Sequence, residues 1–503
     1  MDNLAAAINN LSPAKRELLA LRLKTMPARL DGIPRRTETG FYPPVSFAQE
    51  RLWFVQQIDP ESTAYNIPAA LQLCGRLDVS ALERSLQEVV RRHEIMRTSF
   101  MLINSTVVQM IAPSLSFTLR TIDLSGAEDR ESKVRALVRE QSQQPFKLDE
   151  GPAWRASLLR LGDEEHVLVF TMHHIICDGW SSDVLVREVT MLYDAYLHGR
   201  TSPLPELPVQ YADYVVWQRE WLSGEVVAAQ LDYWKKQLQG KVEPLELPAD
   251  RPRSSSQSFR GASQSWEFSA ELSQALKTLG RRENATLFMV VLAALKALLH
   301  YYSDQPRITI GAPVAHRDRV ETQPLIGLFL NTLVLSTDMS GDPSFRELLR
   351  RVREVSLGAH AHQDVPLEKL MEALQRNGQP LFQATYTLQS VAADEVELSG
   401  LIARPLKVEN ETAQFDLVVN GIDSRSGLAG VFEYSTDLFE ATTVARMADN
   451  LGRILNAIVA QPEIRLSELK QQLADLERQE YEEACRQKLA HRLSSKRRKA
   501  YTT

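Results

Sequence analysis

The chain has 503 residues, 44% of them hydrophobic and 24% charged, with a net charge of −6 and three cysteines. That is enough apolar side chain for two or three packed domains, and the negative balance excludes a general nucleic-acid binder. No stretch reaches the ~20 apolar residues of a membrane span, no charged-then-apolar leader opens the sequence, and Cys74, Cys177 and Cys485 form neither a disulfide framework nor a CxxC metal spacing, so a reducing, cytoplasmic setting is expected.

Ser12-Pro13 reads as a helix cap and first helical residue, and AKRELLALRLK places Leu18, Leu19, Leu21 and Leu23 on a short amphipathic helix. This helix is either packed on the body of the protein or a docking element. Residues 25–40 carry Pro, Gly and alternating charge without a period, which marks a linker. From 41 to 222, helical signals at 81–93 (Leu82, Leu86, Val89 and Val90 on one face) and 132–144 alternate with strand signals in 106–112, WRASLLRL and HVLVFTMHH. Without strict strand-helix-strand alternation, this pattern predicts an α+β layer rather than a doubly wound sheet.

A second unit is expected over 223–474. It contains a Pro/Ser/Arg-rich loop at 247–261 and an apolar helix at 286–303, whose Lys296 and His300 favour a protein core over a membrane. Strands follow at 307–317, 414–421 and 428–439, then a closing helix. Residues 475–503 turn acidic and then strongly basic, and read as an exposed helix with a solvated tail or as a contact for a neighbouring module.

The chemistry concentrates in TMHHIICDGW (171–180), where an apolar run at 166–170 delivers His173 and His174 to a strand end. Asp178-Gly179 breaks the strand; Ser181, Ser182 and Asp183 suit a helix N-terminus, with the helix over 184–197. Adjacent strand residues face opposite sides, so one histidine can face a cavity and the other is structural. Parity puts His174 and Asp178 on one side, a relation the Asp-Gly turn is free to undo. By spacing alone the pattern fits satisfied core histidines, half a metal site or a catalytic centre. A neutral imidazole can take a proton near neutral pH. Cys177 raises a rival chemistry, a Cys-His acyltransferase with a covalent intermediate. If Asp178 is buried it needs a cationic partner.

MHHIICDGWS resembles the core motif of condensation domains of nonribosomal peptide synthetases. SFAQERLWFVQQ (46–57), RHEIMRTSF (92–100), YADYVVWQ (211–218), IGLFLNTLV (326–334) and HQDVPLEKL (362–370) resemble that family's first, second, fourth, fifth and sixth motifs, in order. The resemblance implies two chloramphenicol-acetyltransferase-like lobes, 41–222 and 223–474, in a V around a central tunnel. The first lobe carries HHxxxDG, 1–40 is a possible docking segment, and 475–503 is a charged helix or tail. It further implies an acyltransferase joining a carrier-bound donor thioester to the nucleophile of a carrier-bound acceptor. His174 takes the role of general base or positioner of the nucleophile. His173 and Asp178 are architectural, Gly179 lets the backbone pass close to the substrate channel, and Trp180, Ser181 and Asn331 fall along the tunnel. Arg317, after the GAPV turn, is the implied partner of Asp178. Two departures stand out: His316 occupies a position that is usually small, and the stretch before PLFQ (370–389) is compressed.

No cofactor or metal is expected in the chain itself; the substrates arrive on phosphopantetheine arms of donor and acceptor carrier proteins, with no nucleic-acid or membrane partner. The histidines differ from the aspartates of cyclisation domains, and LNTLV differs from the pattern of epimerisation domains. In SFAQERLWF, HHIICDGWS and IGLFLNTLV the chain most resembles the type that takes an L-configured, achiral or polyketide-like donor, which implies amide formation. Ester formation onto a hydroxyl, and a silent carrier-docking or recruitment scaffold, are the alternatives. With no adenylation segment or carrier serine visible, the chain reads as a free-standing enzyme or as one domain of a larger synthetase.

Overall fold

The computed structural model describes residues 13–25, 32–37, 42–238, 240, 242–254, 258–376, 379–390, 396–408 and 411–500. Its first half runs α1 (Pro13–Thr25), α2 (Phe47–Ile58), β1 (Asn66–Cys74), α3 (Val79–Arg92), β2 (Thr98–Ile103), β3 (Thr106–Ile111), β4 (Arg120–Asp123), α4 (Arg130–Ser142), β5 (Trp154–Arg160), β6 (Glu165–His173), α5 (Gly179–Leu197), α6 (Tyr211–Trp221) and α7 (Glu225–Leu238). The second half continues β7 (Gly261–Ser269), α8 (Ala270–Arg282), α9 (Leu287–Ser303), β8 (Arg307–Val314), β9 (Asn331–Asp338), α10 (Phe345–Ala361), α11 (Leu367–Ala373), β10 (Ala384–Ser390), β11 (Val396–Leu398), β12 (Leu401–Leu406), β13 (Leu417–Asp423), β14 (Gly427–Ser435), α12 (Ala441–Ala460) and α13 (Leu466–Ala500). Among the described residues the strands form two six-stranded sheets, ordered β11-β12-β1-β6-β5-β4 and β7-β14-β13-β10-β8-β9, and a β2-β3 hairpin. The α+β expectation holds, one sheet for each half.

Local chemistry sets the elements. Ser46 and Gln49 reciprocally cap α2, the side chain of each accepting from the backbone N–H of the other. Asp78 caps α3 by accepting from Ala81 N. In β6 the alternation of EHVLVFTMH sends Val167 and Val169 into a small core with Val134 and Val138 of α4, while Leu168, Phe170 and Met172 join the main core with α3 and α5.

The division of the chain at 222 and 223 is crossed twice. β11 and β12 leave the second half, and β12 pairs antiparallel onto β1, from Ala70↔Leu406 to Cys74↔Ile402, with β11 outside it, which covers an edge of the first sheet that would otherwise expose unpaired backbone groups. In addition Leu325, Ile326, Leu328 and Phe329, from the loop between β8 and β9, are buried in the first core. The short hairpin at 396–406 carries too little periodicity to read as strands from sequence.

Both termini are tied to the second lobe where they are described. Ala14 is buried, Leu18 and Leu21 pack against the second core, and Arg22 pairs with Asp318 (2.5 Å) and Asp364 (3.0 Å). That favours the packed reading of this helix. The last helix starts at Leu466 rather than near 475, with Leu466, Leu469 and Leu473 buried in the second core. Of the basic stretch expected at 486–499, the side chains of 487–499 lie outside the described residues.

No single described helix is long and apolar enough to cross a membrane. α9 is instead the central helix of the second core, with Val290 to Leu295 fully buried. Lys296 is buried with them and donates to the carbonyls of Ile308 (2.9 Å) and Leu335 (2.6 Å), and burial holds its pKa well below the ordinary lysine value. The unfolded chain therefore binds a proton that the native state does not, and stability rises with pH up to the unfolded lysine pKa of ~10.4. Lys296→Met should flatten this rise, read as melting temperature against pH between neutrality and pH 10 for both proteins.

Candidate active site

β6 ends at His173, whose backbone N–H donates to Ala153 O (2.8 Å). The chain then winds through one 3-10 turn, His174–Ile176, before α5 begins at Gly179. The turn separates the environments of the two histidines. His173 is fully buried, with the rings of Tyr65 and Phe146 at 6.4 and 6.1 Å. Its Nδ1 accepts from Ile175 N (3.1 Å), so it caps the turn. Burial pushes its pKa down to about 3, leaving a neutral, structural imidazole.

His174 is only partly buried. Its Nδ1 lies 2.7 Å from Cys177 O, and a carbonyl can only accept, so Nδ1 carries the proton and Nε2 keeps its lone pair. Nε2 has no hydrogen-bond partner among the described residues. Burial lowers the pKa, opposed by the Cys177 carbonyl and the Asp178 charge, and the net shift is below the ordinary histidine value. The ring is thus neutral at pH 7 and able to accept a proton. The turn beneath it is held by α2, where Gln49 Nε2 donates to Ile175 O (3.0 Å).

Asp178 does not hydrogen-bond His174; the turn has rotated the carboxylate away. Instead it is the N-cap of α5, accepting from Ser181 N (2.8 Å) and Ser181 Oγ (2.7 Å). The helix therefore starts five residues before the expected Val184, because Asp178 itself supplies the cap. The second carboxylate oxygen accepts from Phe329 N (3.0 Å), and Arg317 Nη2 donates to the first (3.0 Å). Both side chains are almost fully buried, at 1% and 2% exposure. Arg317 is further fixed by the carbonyls of Thr322 (2.7 Å) and Leu325 (2.6 Å) and lies over the Phe329 ring at 4.0 Å.

The three residues expected along the tunnel differ in fate. Ser181 is fully buried, and its hydroxyl is engaged by Asp178, Arg317 and the Gly327 backbone, so it is architecture rather than lining. Trp180 stays 40% exposed and donates from Nε1 to Gln323 O (2.9 Å) across to the second lobe. Asn331 lines a junction cleft with Ser46, Arg51, His316 and Asp364. Its amide is committed to Gln363 O (2.7 Å) and Val365 O (2.8 Å), which pins the turn before α11. At Gly179 an added Cβ would meet nothing within 4 Å, so no neighbouring group in the chain requires glycine there.

His316, in place of a small residue, takes a left-handed φ of +49°. Its ring spans the Tyr214 hydroxyl (3.4 Å) and Asp364 (3.3 Å), and the Arg22 contact to Asp364 connects the N-terminal helix to this turn. In the compressed stretch, 377–378 lie outside the described residues, while Phe382 packs where a Cβ on Gly311 would clash at 2.4 Å. Cys177 is fully buried, and burial together with Asp178 pushes its thiol pKa well up. A buried neutral thiol is a poor nucleophile.

Sequence reasoning used the other motifs as markers without seeing what they hold. His93 Nδ1 accepts from Ile326 N (3.3 Å) while its Nε2 faces Glu188 of α5 (2.8 Å). Tyr211 donates to Leu328 O (2.7 Å), and its ring fills the space a Cβ on Gly327 would need, at 2.1 Å. The RHE, YADY and IGLF stretches thus clamp one loop. A histidine set between an arginine and a glutamate at the end of a helical pattern, in RHE, was the signal available.

The site is thus a strand-end histidine with a free Nε2 beside a buried Asp-Arg pair that joins two α+β lobes. Residues 39–480 match the Condensation domain family. The chain is 45% identical over 427 residues to a linear gramicidin synthase protein of Brevibacillus parabrevis, covering 83% of this chain and 6% of that protein. It is 36% identical over 479 residues to phosphinothricin tripeptide synthetase PhsC of Streptomyces viridochromogenes, covering 93% of this chain and 44% of the relative. It is similar to the crystal structure of the X-domain from teicoplanin biosynthesis, with a TM-score of 0.81, 30% identity and coverage of 87% and 99%. The first condensation domain of the calcium-dependent antibiotic synthetase shares the fold at a TM-score of 0.74 and 22% identity, with coverage of 86% and 99%. The chain belongs to the condensation-domain family of nonribosomal peptide synthetases, whose members are acyltransferases that form amide bonds. It spans less than half the length of these two curated relatives.

Asp178→Asn or Arg317→Ala should lower the melting temperature as well as activity, since removing one partner of a buried ion pair costs about 3–5 kcal/mol. Calorimetry checks this; an inactive variant as stable as the parent would place the pair in catalysis instead. Cys177→Ser should keep most activity, and intact-protein mass spectrometry of the parent with donor thioester should show no acyl-enzyme.

Proposed function

We propose that this chain joins the acyl group of a carrier-bound donor thioester to the amine of a carrier-bound acceptor, with an L-configured, achiral or polyketide-like donor. The observation that carries the reading is the Nε2 lone pair of His174, left free by the Nδ1 contact to Cys177 O. The acceptor nitrogen attacks the donor carbonyl, the new C–N bond forms, the C–S bond breaks, and the donor arm leaves as a thiol that takes up the amine's proton. His174 either accepts that proton at Nε2 and passes it to the sulfur, or hydrogen-bonds the amine and orients its attack. The open space over Gly179 suits passage of the substrates. Both phosphopantetheine arms belong to partner carrier proteins in this reading, and the chain itself supplies no cofactor.

A second reading rests on the similarity to the X-domain from teicoplanin biosynthesis, whose structure in complex with OxyB is matched at a TM-score of 0.79 and 30% identity. In it the chain recruits a partner protein and makes no bond. The intact His174 geometry favours the catalytic reading.

Mixing the protein with loaded donor and acceptor carriers and weighing the products separates the two. His174→Ala should lose product by about 10²-fold or more while remaining folded, the usual scale for removing a positioned acid-base group; undiminished turnover would remove His174 from the mechanism. Because its pKa lies below the ordinary histidine value of ~6.5, the loss of turnover that depends on His174 should set in only below pH ~6.5 as Nε2 becomes protonated, at lower pH than the loss caused by protonation of the acceptor amine at ~7.7–8.0.

A further inference from the structure

The N-terminal segment crosses from one lobe to the other. α1 sits on the second core, whereas Ile33 is buried in the first core and Arg36 pairs with Glu94 and with Asp213 (3.1 Å) of the first lobe. In the chain between these two anchorages lies Arg22, whose guanidinium is shared by Asp318 and Asp364. Asp364 is buried and also accepts from Gln230 of α7 (2.7 Å). Burial would raise its pKa, yet His316, Arg22 and Gln230 together hold it at about 2. The carboxylate is thus kept charged in the wall of the junction cleft.

What Asp364 holds in turn is the segment after β8. His316 has a φ of +49°, a region that side-chain-bearing residues keep only when their surroundings over-determine it. One of its ring nitrogens faces Asp364 and the other the hydroxyl of Tyr214 in α6, which also accepts from Gln218 (2.9 Å). The Tyr214 ring tilts against Phe329 at 4.6 Å; Phe329 donates its N–H to Asp178 and lies under the Arg317 guanidinium. Arg22 is therefore joined to the Asp178–Arg317 pair by a continuous line of contacts through Asp364, His316, Tyr214 and Phe329. Tyr214 is within electrostatic reach of both ends: burial first and the Asp364 charge second push its hydroxyl pKa up, and the charges of Arg317 and Asp178 act on it as well.

We propose that Arg22 is a positioning residue for the reaction: by neutralising Asp364 it seats His316 against Tyr214, and through Phe329 it steadies the carboxylate that fixes the turn bearing His174. This deepens the condensation reading and rests on it. Without the guanidinium, Asp364 keeps a buried charge with only His316 and Gln230 against it, and removing one partner of such a charge is the disruptive case. The N-terminal helix, which lies outside every motif, then belongs to the frame that holds the site.

Contacts that lie between two points amount to coupling only if a change at one end is felt at the other. With loaded donor and acceptor carriers, Arg22→Ala should lower kcat by about 10- to 100-fold, the scale of a small misplacement at the reacting centre, with KM for the acceptor carrier near the parent's. Millimolar guanidinium should restore much of that loss, and urea at the same concentration should not. Tyr214→Phe should cost a similar factor, and the double variant no more than either single one. Arg353→Ala, which cuts the other ion pair of α1, with Glu17, should leave kcat at the parent's value. An unchanged kcat in Arg22→Ala, a loss that guanidinium does not recover, or losses that multiply in the double variant each overturn the proposal, as does an equal loss in Arg353→Ala, which would make α1 ordinary packing. Hydrogen exchange reads the same coupling without turnover: Arg22→Ala should speed exchange of the Phe329 amide, the donor to Asp178, and leave β6 at the parent's rate. Faster exchange at Phe329 in a protein that makes no product refutes condensation and leaves the line from Arg22 to Asp178 standing; product with unchanged exchange does the reverse.

Discussion

The contact between Asp178 and Arg317 is the constraint on which the site depends. A carboxylate this deeply buried is tolerable only if its charge is met, and here the donors come from two regions: the first turn of α5, whose N-terminus favours an anion, and the loop of the second half. The guanidinium in turn is held by backbone carbonyls and a ring, so its planar fork arrives already oriented. One carboxylate thus caps the helix, fixes the turn that presents His174, and joins residues 139 positions apart.

The loop that carries Arg317's partners is as much a part of the first lobe as of the second. Its apolar residues complete the first core, and it is gripped by His93, just past the end of α3, and by Tyr211 of α6. β12 repeats the arrangement at the sheet edge, so the first lobe is finished by chain from beyond the midpoint. Burial of apolar surface and pairing of strand edges drive both crossings. Relative movement of the lobes would have to disturb the buried ion pair, which argues for a rigid junction at the active site.

The two histidines show how little separation is needed for different chemistry. A single 3-10 turn leaves His173 sealed among aromatic rings and keeps His174 at the boundary of the buried region with one nitrogen tied to a carbonyl. Burial lowers both pKa values, and it is the hydrogen-bond pattern that decides which ring can act as a base.

The sequence by itself determined the class of fold, the order of most elements, the family, the pairing of Asp178 with Arg317 and the singling out of His174. The first two follow from local periodicity and the third from motif order; Arg317 as the partner of Asp178, and His174 as the acting histidine, are what the resemblance to condensation domains implies, with the rule that a buried charge needs a partner requiring only some cation. It misplaced the start of α5, because whether Asp178 or Ser181 caps the helix depends on a carboxylate that also has to satisfy Arg317. It put Ser181 on the tunnel, when long-range hydrogen bonds had already claimed its hydroxyl. It also could not show that a hairpin at 396–406 would close the first sheet, or that Arg22 and His316 would share one carboxylate. Those features are set by contacts between residues far apart in the chain, which only the tertiary structure brings together.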